Sequence, residues 1–297
     1  MRLILSLFLF ALLFYADVPT YAQDNSGAVV LHFHSSHTSF PDNSRIKGHV
    51  GDSVFYSAVD HYSDSTVLII APKDLDAGRK VDMIFWFHGW HNNIDNTAAY
   101  YQLTRQFIAS KINAVLVLPE AAKDAADSYG GKLEKPGVFK ALVDDVLKEL
   151  KNRRIIGGNC KPGHILLGGH SGGGEVMAYI IENGQIKINE AVLFDALYDG
   201  TGKFLIWIKE DTTNRFIHLY TDYGYGPKDE SQKMVKLLTQ EQIPYLEAEE
   251  SMLTPLDLQN YRLVYIHSLR QHNDIIFNPD NFKLLFENSP FLKKLKD

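Results

Sequence analysis

The chain has 297 residues, 45% hydrophobic and 22% charged, which is ordinary for a folded protein and ample for one large core. Its formal net charge of −6 leaves no basic footprint, and this argues against nucleic acid as a partner. The single cysteine, Cys160, excludes an intrachain disulfide.

Residues 1–22 stand apart from the rest. Arg2, the apolar stretch from Leu3 to Tyr15 and the small-residue site Thr20-Tyr21-Ala22 before Gln23 have the organisation of a signal peptide. The apolar run falls short of the ~20 residues that a bilayer-spanning helix needs. The expectation is a protein exported to the periplasm or secreted, with no membrane span once the leader is cleaved. Cys160 lies far from the leader, so no lipid-attachment cysteine follows it. Residues 23–297 are then expected to form one domain, with no linker or internal repeat.

Short apolar runs then alternate with helical patterns. Strands are expected at Val29 to His34, Thr66 to Ala71, Asp82 to Phe87, Asn113 to Leu118, Ile165 to Gly168, Ala191 to Phe194, Phe216 to Tyr220 and Leu263 to His267. The first carries His32 and His34 on one face, with His37 beyond. Two such histidines can bind zinc, but no HExxH or carboxylate helix accompanies them, and no metal is expected. The segment 35–64, rich in Ser, Asp and His, reads as long loops or a hairpin. Trp86, in the middle of a strand, is a core residue by position. Val138, Leu142, Val146 and Leu150, flanked by Phe139, Val143 and Leu147, form one wide helical stripe. Strand–helix alternation of this kind predicts an α/β fold, a mostly parallel sheet of about eight strands with helices on both faces.

Gly169-His170-Ser171-Gly172-Gly173 fits GxSxG, between the strand ending at Gly168 and a helix from about Gly172 to Glu182. A sharp strand-to-helix turn strains the serine backbone and brings neighbouring chain close, so the flanking side chains must be absent. The turn presents the Ser171 hydroxyl as a nucleophile and the Gly172 N–H as an oxyanion donor near a helix N-terminus. A plain helix cap would use the same letters, but the strand and helix on either side favour the nucleophile. A phosphate loop does not fit, because the GKS or GKT ending is missing and Glu175 would repel phosphate.

With the strand ending in "FHGW" at 87–90, the serine turn, and acid and histidine candidates downstream, the chain resembles the α/β-hydrolase superfamily over nearly all of residues 23–297. "SSHTSFPDNSRIKGH", "FHGWHNN" and "LFDALYDG" are similar to an uncharacterised group of secreted bacterial hydrolases. The resemblance implies the α/β-hydrolase fold and a catalytic triad in the chain order serine, acid, histidine. It places the base at His272, after the last strand, with His267 as rival. The acid is Asp195 or Asp222. Asp195 sits in "FDAL", which is similar to the "LDPA"-like setting of pancreatic-type lipases, whereas Asp222 follows the next strand, the commoner position; Asp199 is a third candidate. His88-Gly89-Trp90 resembles the HG loop whose following residue, here Trp90, donates its backbone N–H to the oxyanion. The same resemblance makes His88 a holder of that loop.

Trp90, His170 and Tyr223 are the candidate substrate contacts, with Tyr225 beside Tyr223 in a glycine-flanked loop. The expected activity is hydrolysis of a carboxylic ester, small or polymer-attached, through an acyl-enzyme and without a cofactor. A peptidase or amidase would use the same groups. A non-catalytic binding protein on a hydrolase scaffold would keep the fold and leave the triad unassembled.

Overall fold

The computed structural model describes residues 27–222 and 226–296. The expected leader at 1–22, Tyr223 and Tyr225 therefore lie outside the described residues. In chain order, β1 (Ala28–His34) is followed by the short strands β2 (His49–Gly51) and β3 (Val54–Tyr56), one helical turn α1 (Ala58–His61) and β4 (Thr66–Pro72). Next come β5 (Lys80–Phe87), α2 (Ile94–Tyr100), α3 (Leu103–Ala109), β6 (Ala114–Pro119), α4 (Val138–Asn152), β7 (Lys161–His170) and α5 (Gly173–Asn183). The chain continues through β8 (Glu190–Phe194), α6 (Thr201–Glu210), β9 (Arg215–Thr221), α7 (Pro227–Gln240) and β10 (Leu246–Glu249). It ends with α8 (Pro255–Asn260), β11 (Leu263–Ser268) and α9 (Asn281–Glu287).

Among the described residues the main sheet has nine strands in the order β1-β4-β6-β5-β7-β8-β9-β11-β10. β4 runs antiparallel to both β1 and β6, and the strands from β6 to β10 are parallel. Because side chains alternate across a strand, each central strand feeds two cores. Met83, Phe85, Phe87, Leu167 and Leu193 face one core with Phe139 of α4, Met177 of α5, Phe204 of α6 and Met234 of α7. Ile84, Trp86, Leu166 and Phe194 face the other with Ala98 of α2, Phe107 of α3, Leu258 of α8 and Phe282 of α9. Helices thus cover both faces, which is why the central strands are almost continuously apolar. On α4 the buried residues are Phe139, Leu142, Val143, Val146, Leu147 and Leu150, the stripe read from the sequence.

All eight expected strands are present. The ninth, β10, is an edge strand with one neighbour, and its sequence LEAE shows neither face fully buried. The segment 35–64 holds the antiparallel hairpin β2–β3. Phe40, Tyr56 and Tyr62 anchor this segment on Ala122, Ala125 and Ala126, while Val50 and Phe55, opposite each other across the ladder, are exposed. At the amino-terminal ends of β8 and β9 the neighbouring residues Glu190 and Arg215 form a buried ion pair, and Ser289 donates to Glu190. No helix among the described residues is long and apolar enough to cross a membrane.

Candidate active site

Chain order reverses at β5: β6 lies on one side of it and β7 on the other. Parallel sheets hold their sites outside the carboxyl ends of the strands at such a switch point. Here the loops after β5, β7, β8 and β11 and the end of β9 supply the candidate groups.

Ser171 leaves β7 in the left-handed region, at φ +53°. A non-glycine residue held there costs of order 1–3 kcal/mol, so the surroundings must enforce it. They do so by close packing. A methyl group on Gly89 would lie 2.6 Å from Ser171 Cβ, and one on Gly174 would run into the Ala196 carbonyl. The HG loop therefore rests directly on the serine, and α5 rests on the segment that follows β8.

Asp195 follows β8, also at positive φ (+47°), with its backbone N–H on Leu219 O at 2.7 Å. Its carboxylate is fully buried. Oδ1 accepts the Thr221 N–H at 2.9 Å, and Oδ2 accepts the Thr221 hydroxyl at 2.8 Å and faces His272 Nδ1 at 2.6 Å. Burial alone would raise this carboxyl, but the hydrogen bonds from His272 and Thr221 outweigh it and hold it below the ordinary carboxylate value. A charge-assisted contact to Nδ1 puts the ring proton there and leaves the Nε2 lone pair for a substrate proton. The His272 side chain keeps 18% of its surface exposed, so the ring sits at the edge of solvent. Among the described residues Ser171 Oγ and His272 Nε2 share no hydrogen bond; catalytic contacts of this kind commonly tighten only in the substrate complex. Tyr198 lies against Ser171. Burial first, and then the Asp195 charge, push its phenol up to about 12, while the Ser171 hydroxyl draws it back.

Among the described residues the backbone N–H groups of Trp90 and Gly172 have no hydrogen-bond acceptor. The two residues are neighbours: a methyl on Gly172 would lie 3.1 Å from Trp90 Cδ1. Trp90 is 49% exposed, and its indole donates Nε1–H to Ser128 Oγ at 2.7 Å. Beneath this loop His88 is buried, with Nε2 on Glu120 Oε1 at 2.7 Å and Nδ1 on Gly89 O at 2.8 Å. Burial opposes its protonation, yet the Glu120 carboxylate more than compensates and raises His88 above the usual imidazole range.

Other candidate residues fall outside this arrangement. Asp222, one of the two acid candidates, is exposed and pairs with Lys228 at 2.6 Å and with His267 Nε2 at 3.1 Å, away from His272. It follows β9, but the register carries Asp195 level with Tyr220, so the next residue, Thr221, and not Asp222, reaches its carboxylate. His267, the rival base, is held between Asp222 and Glu249. His170, expected to touch substrate, is 3% exposed and turned inward onto the loop of His272, because the strand alternation that lifts Ser171 outward directs its predecessor under the surface. Asp199 accepts the Gly200 N–H at 2.6 Å instead of the proton of the base. His32, His34 and His37 go to separate partners, Asp95, Ser65 and Asp145. Thr221, Tyr198, Ser128 and Glu120 were not singled out from sequence. Only Thr221 carried a signal, a hydroxyl closing an apolar strand beside an acid candidate.

No protein-family model and no curated protein matches the chain. Among solved structures it is similar to FphF, a fluorophosphonate-binding serine hydrolase of Staphylococcus aureus with substrate bound, at 11% identity and a TM-score of 0.51 over 88% of this chain and 98% of that one. A ferulic acid esterase aligns at 10% identity and a TM-score of 0.52, covering 86% of this chain and 98% of its own. A mutant of the feruloyl esterase module from Clostridium thermocellum, complexed with sinapinate, aligns at 11% identity and a TM-score of 0.51, covering 93% and 91%. Likeness at such low identity establishes the α/β-hydrolase fold.

Proposed function

We propose that the chain is an exported serine hydrolase that cleaves a carboxylic ester through an acyl-enzyme. The observation that carries this reading is the buried Asp195 carboxylate, saturated by Thr221 and placed 2.6 Å from His272 Nδ1, beside a serine in a strained left-handed turn. In this mechanism His272 Nε2 takes the proton as Ser171 Oγ attacks the ester carbonyl. Asp195 keeps the ring in the working tautomer and offsets the imidazolium charge. The Trp90 and Gly172 N–H groups take the developing oxyanion. His272 then protonates the leaving alcohol, and water, activated by the same nitrogen, releases the acid. No cofactor enters these steps.

The indole of half-exposed Trp90 beside Gly172 offers a flat apolar wall, and two of the structural neighbours are named for aromatic acid esters, which makes aryl-acid esters, small or polymer-attached, the first substrates to try. Export rests on the leader pattern of residues 1–22. The direct test is labelling with a fluorophosphonate. The wild-type chain should take up label, and the Ser171→Ala and His272→Ala variants should not. Equal labelling of Ser171→Ala refutes the nucleophile. Turnover of matched ester and anilide substrates then separates an esterase from an amidase.

A further inference from the structure

His170 directly precedes the proposed nucleophile, yet its side chain is spent on the loop that carries the proposed base. Its Nε2 lies 3.0 Å from the backbone oxygen of His272, and its ring stands 4.4 Å from the His272 ring, centroid to centroid, at a tilt of 38°. Its Nδ1 lies 3.1 Å from the hydroxyl of Tyr101, which also reaches Asn273 Oδ1 at 3.3 Å. A carbonyl can only accept, so Nε2 carries the ring proton and Nδ1 is an acceptor, which shares the single Tyr101 proton with Asn273 Oδ1. Burial, and after it the charge on His272, push His170 down to about 3, so the ring is neutral wherever the protein is folded and working. A neutral ring lets His272 become charged during turnover without repulsion across 4.4 Å.

The base needs such a support. His272 sits in residues 269–280, between β11 and α9, where the chain forms neither helix nor strand. Leu269, Gln271 and Asn273 are exposed around it. A misplacement of about 1 Å at a reacting group can cost 10²-fold in rate. A histidine that merely filled the core would not need to aim Nε2 at the His272 carbonyl and Nδ1 at a tyrosine that reaches Asn273.

We propose that His170 is a positioning residue: it registers the base against the nucleophile by gripping the His272 backbone and ring from the position next to Ser171, with Tyr101 fixing its tautomer. This rests on the reading of Ser171, His272 and Asp195 as a triad. Only Asp195 and His170 hold His272 by polar contacts among the described residues, the first at the side chain and the second at the backbone.

The test is steady-state hydrolysis of a short-chain p-nitrophenyl ester by wild type, His170→Phe, His170→Gln and Tyr101→Phe. His170→Phe keeps a flat ring and loses the donor; its kcat should fall about 30- to 100-fold with KM within about threefold. His170→Gln, whose amide N–H can reach the same carbonyl, should recover about tenfold of that loss. Tyr101→Phe removes one hydroxyl and should lower kcat about three- to tenfold, again with KM unchanged. Should His170→Phe not fold, as judged by circular dichroism, the Tyr101→Phe result decides. Folded variants with wild-type kcat, a loss confined to KM, or a glutamine no better than phenylalanine overturn the positioning role and leave the hydrolase reading intact. A wild-type chain that neither turns over ester nor takes fluorophosphonate overturns both.

Discussion

Replacing Asp195 by Asn tests the acid assignment, because the surrounding donors dictate how the amide must lie. The Thr221 N–H points at Oδ1 from 2.9 Å and can only donate, so the Asn oxygen is fixed at that position. The amide nitrogen is then forced to the Oδ2 position, 2.6 Å from His272 Nδ1. There it donates to the ring, which must shift its proton to Nε2, and the nitrogen proposed to take the Ser171 proton is no longer a base. The same tautomer reversal in a serine protease triad lowers kcat about 10⁴-fold, equivalent to about 5.4 kcal/mol of lost transition-state stabilisation. The Thr221 hydroxyl can rotate to accept from the amide, so the fold should survive. Stopped-assay kinetics on an aryl ester, with thermal melts as control, give the measurement. Asp222→Asn should stay within about twofold of wild type, since that carboxylate is exposed and bound to Lys228. Activity in Asp195→Asn within tenfold of wild type, or a collapse in Asp222→Asn, would refute the reasoning.

Two further outcomes are expected. Gly89→Ala places a methyl 2.6 Å from Ser171 Cβ, which must push the HG loop and the Trp90 N–H off the oxyanion position; kcat should fall about 10²- to 10³-fold, as when one such donor is deleted, and kinetics within threefold of wild type would contradict the packing. Glu175, on the first turn of α5, is raised to about 7 by burial and then by Glu134, Asp199 and Asp127. The folded state thus holds a proton that the unfolded chain releases near 4.5, so this group's share of stability is full below that pH and is lost as pH rises through 7. Glu175→Gln should melt with wild type at pH 4 and above it at pH 8, and parallel melting curves at both pH values would contradict the shift.

The fold was legible in the sequence because the central strands are buried on both faces and bounded by turn residues, so their apolar runs needed no alternation to be seen. β10 escaped because an edge strand of four residues, LEAE, has no apolar run and an alternation too short to stand out, with only Leu246 and Ala248 apolar. Ser171 was legible because the turn demands glycines that the chain displays. The choice between Asp195 and Asp222 was not, since both close apolar strands and only the sheet register decides which one meets Thr221 and the loop after β11. His170 was misread for a related reason. Its partners, Tyr101 and the His272 carbonyl, are 69 and 102 positions away, and no local pattern announces them.

The three proposed catalytic groups stand on unequal ground. Ser171 and Asp195 leave adjacent strands whose carboxyl ends are buried and lie among close glycine contacts, whereas His272 hangs from a twelve-residue span, 269–280, without regular structure. Warming or mild denaturant will therefore release the imidazole in a local opening well before the sheet parts. Working life and melting point should then part company, and a substitution that tightens 269–280 is expected to lengthen the first without altering the second.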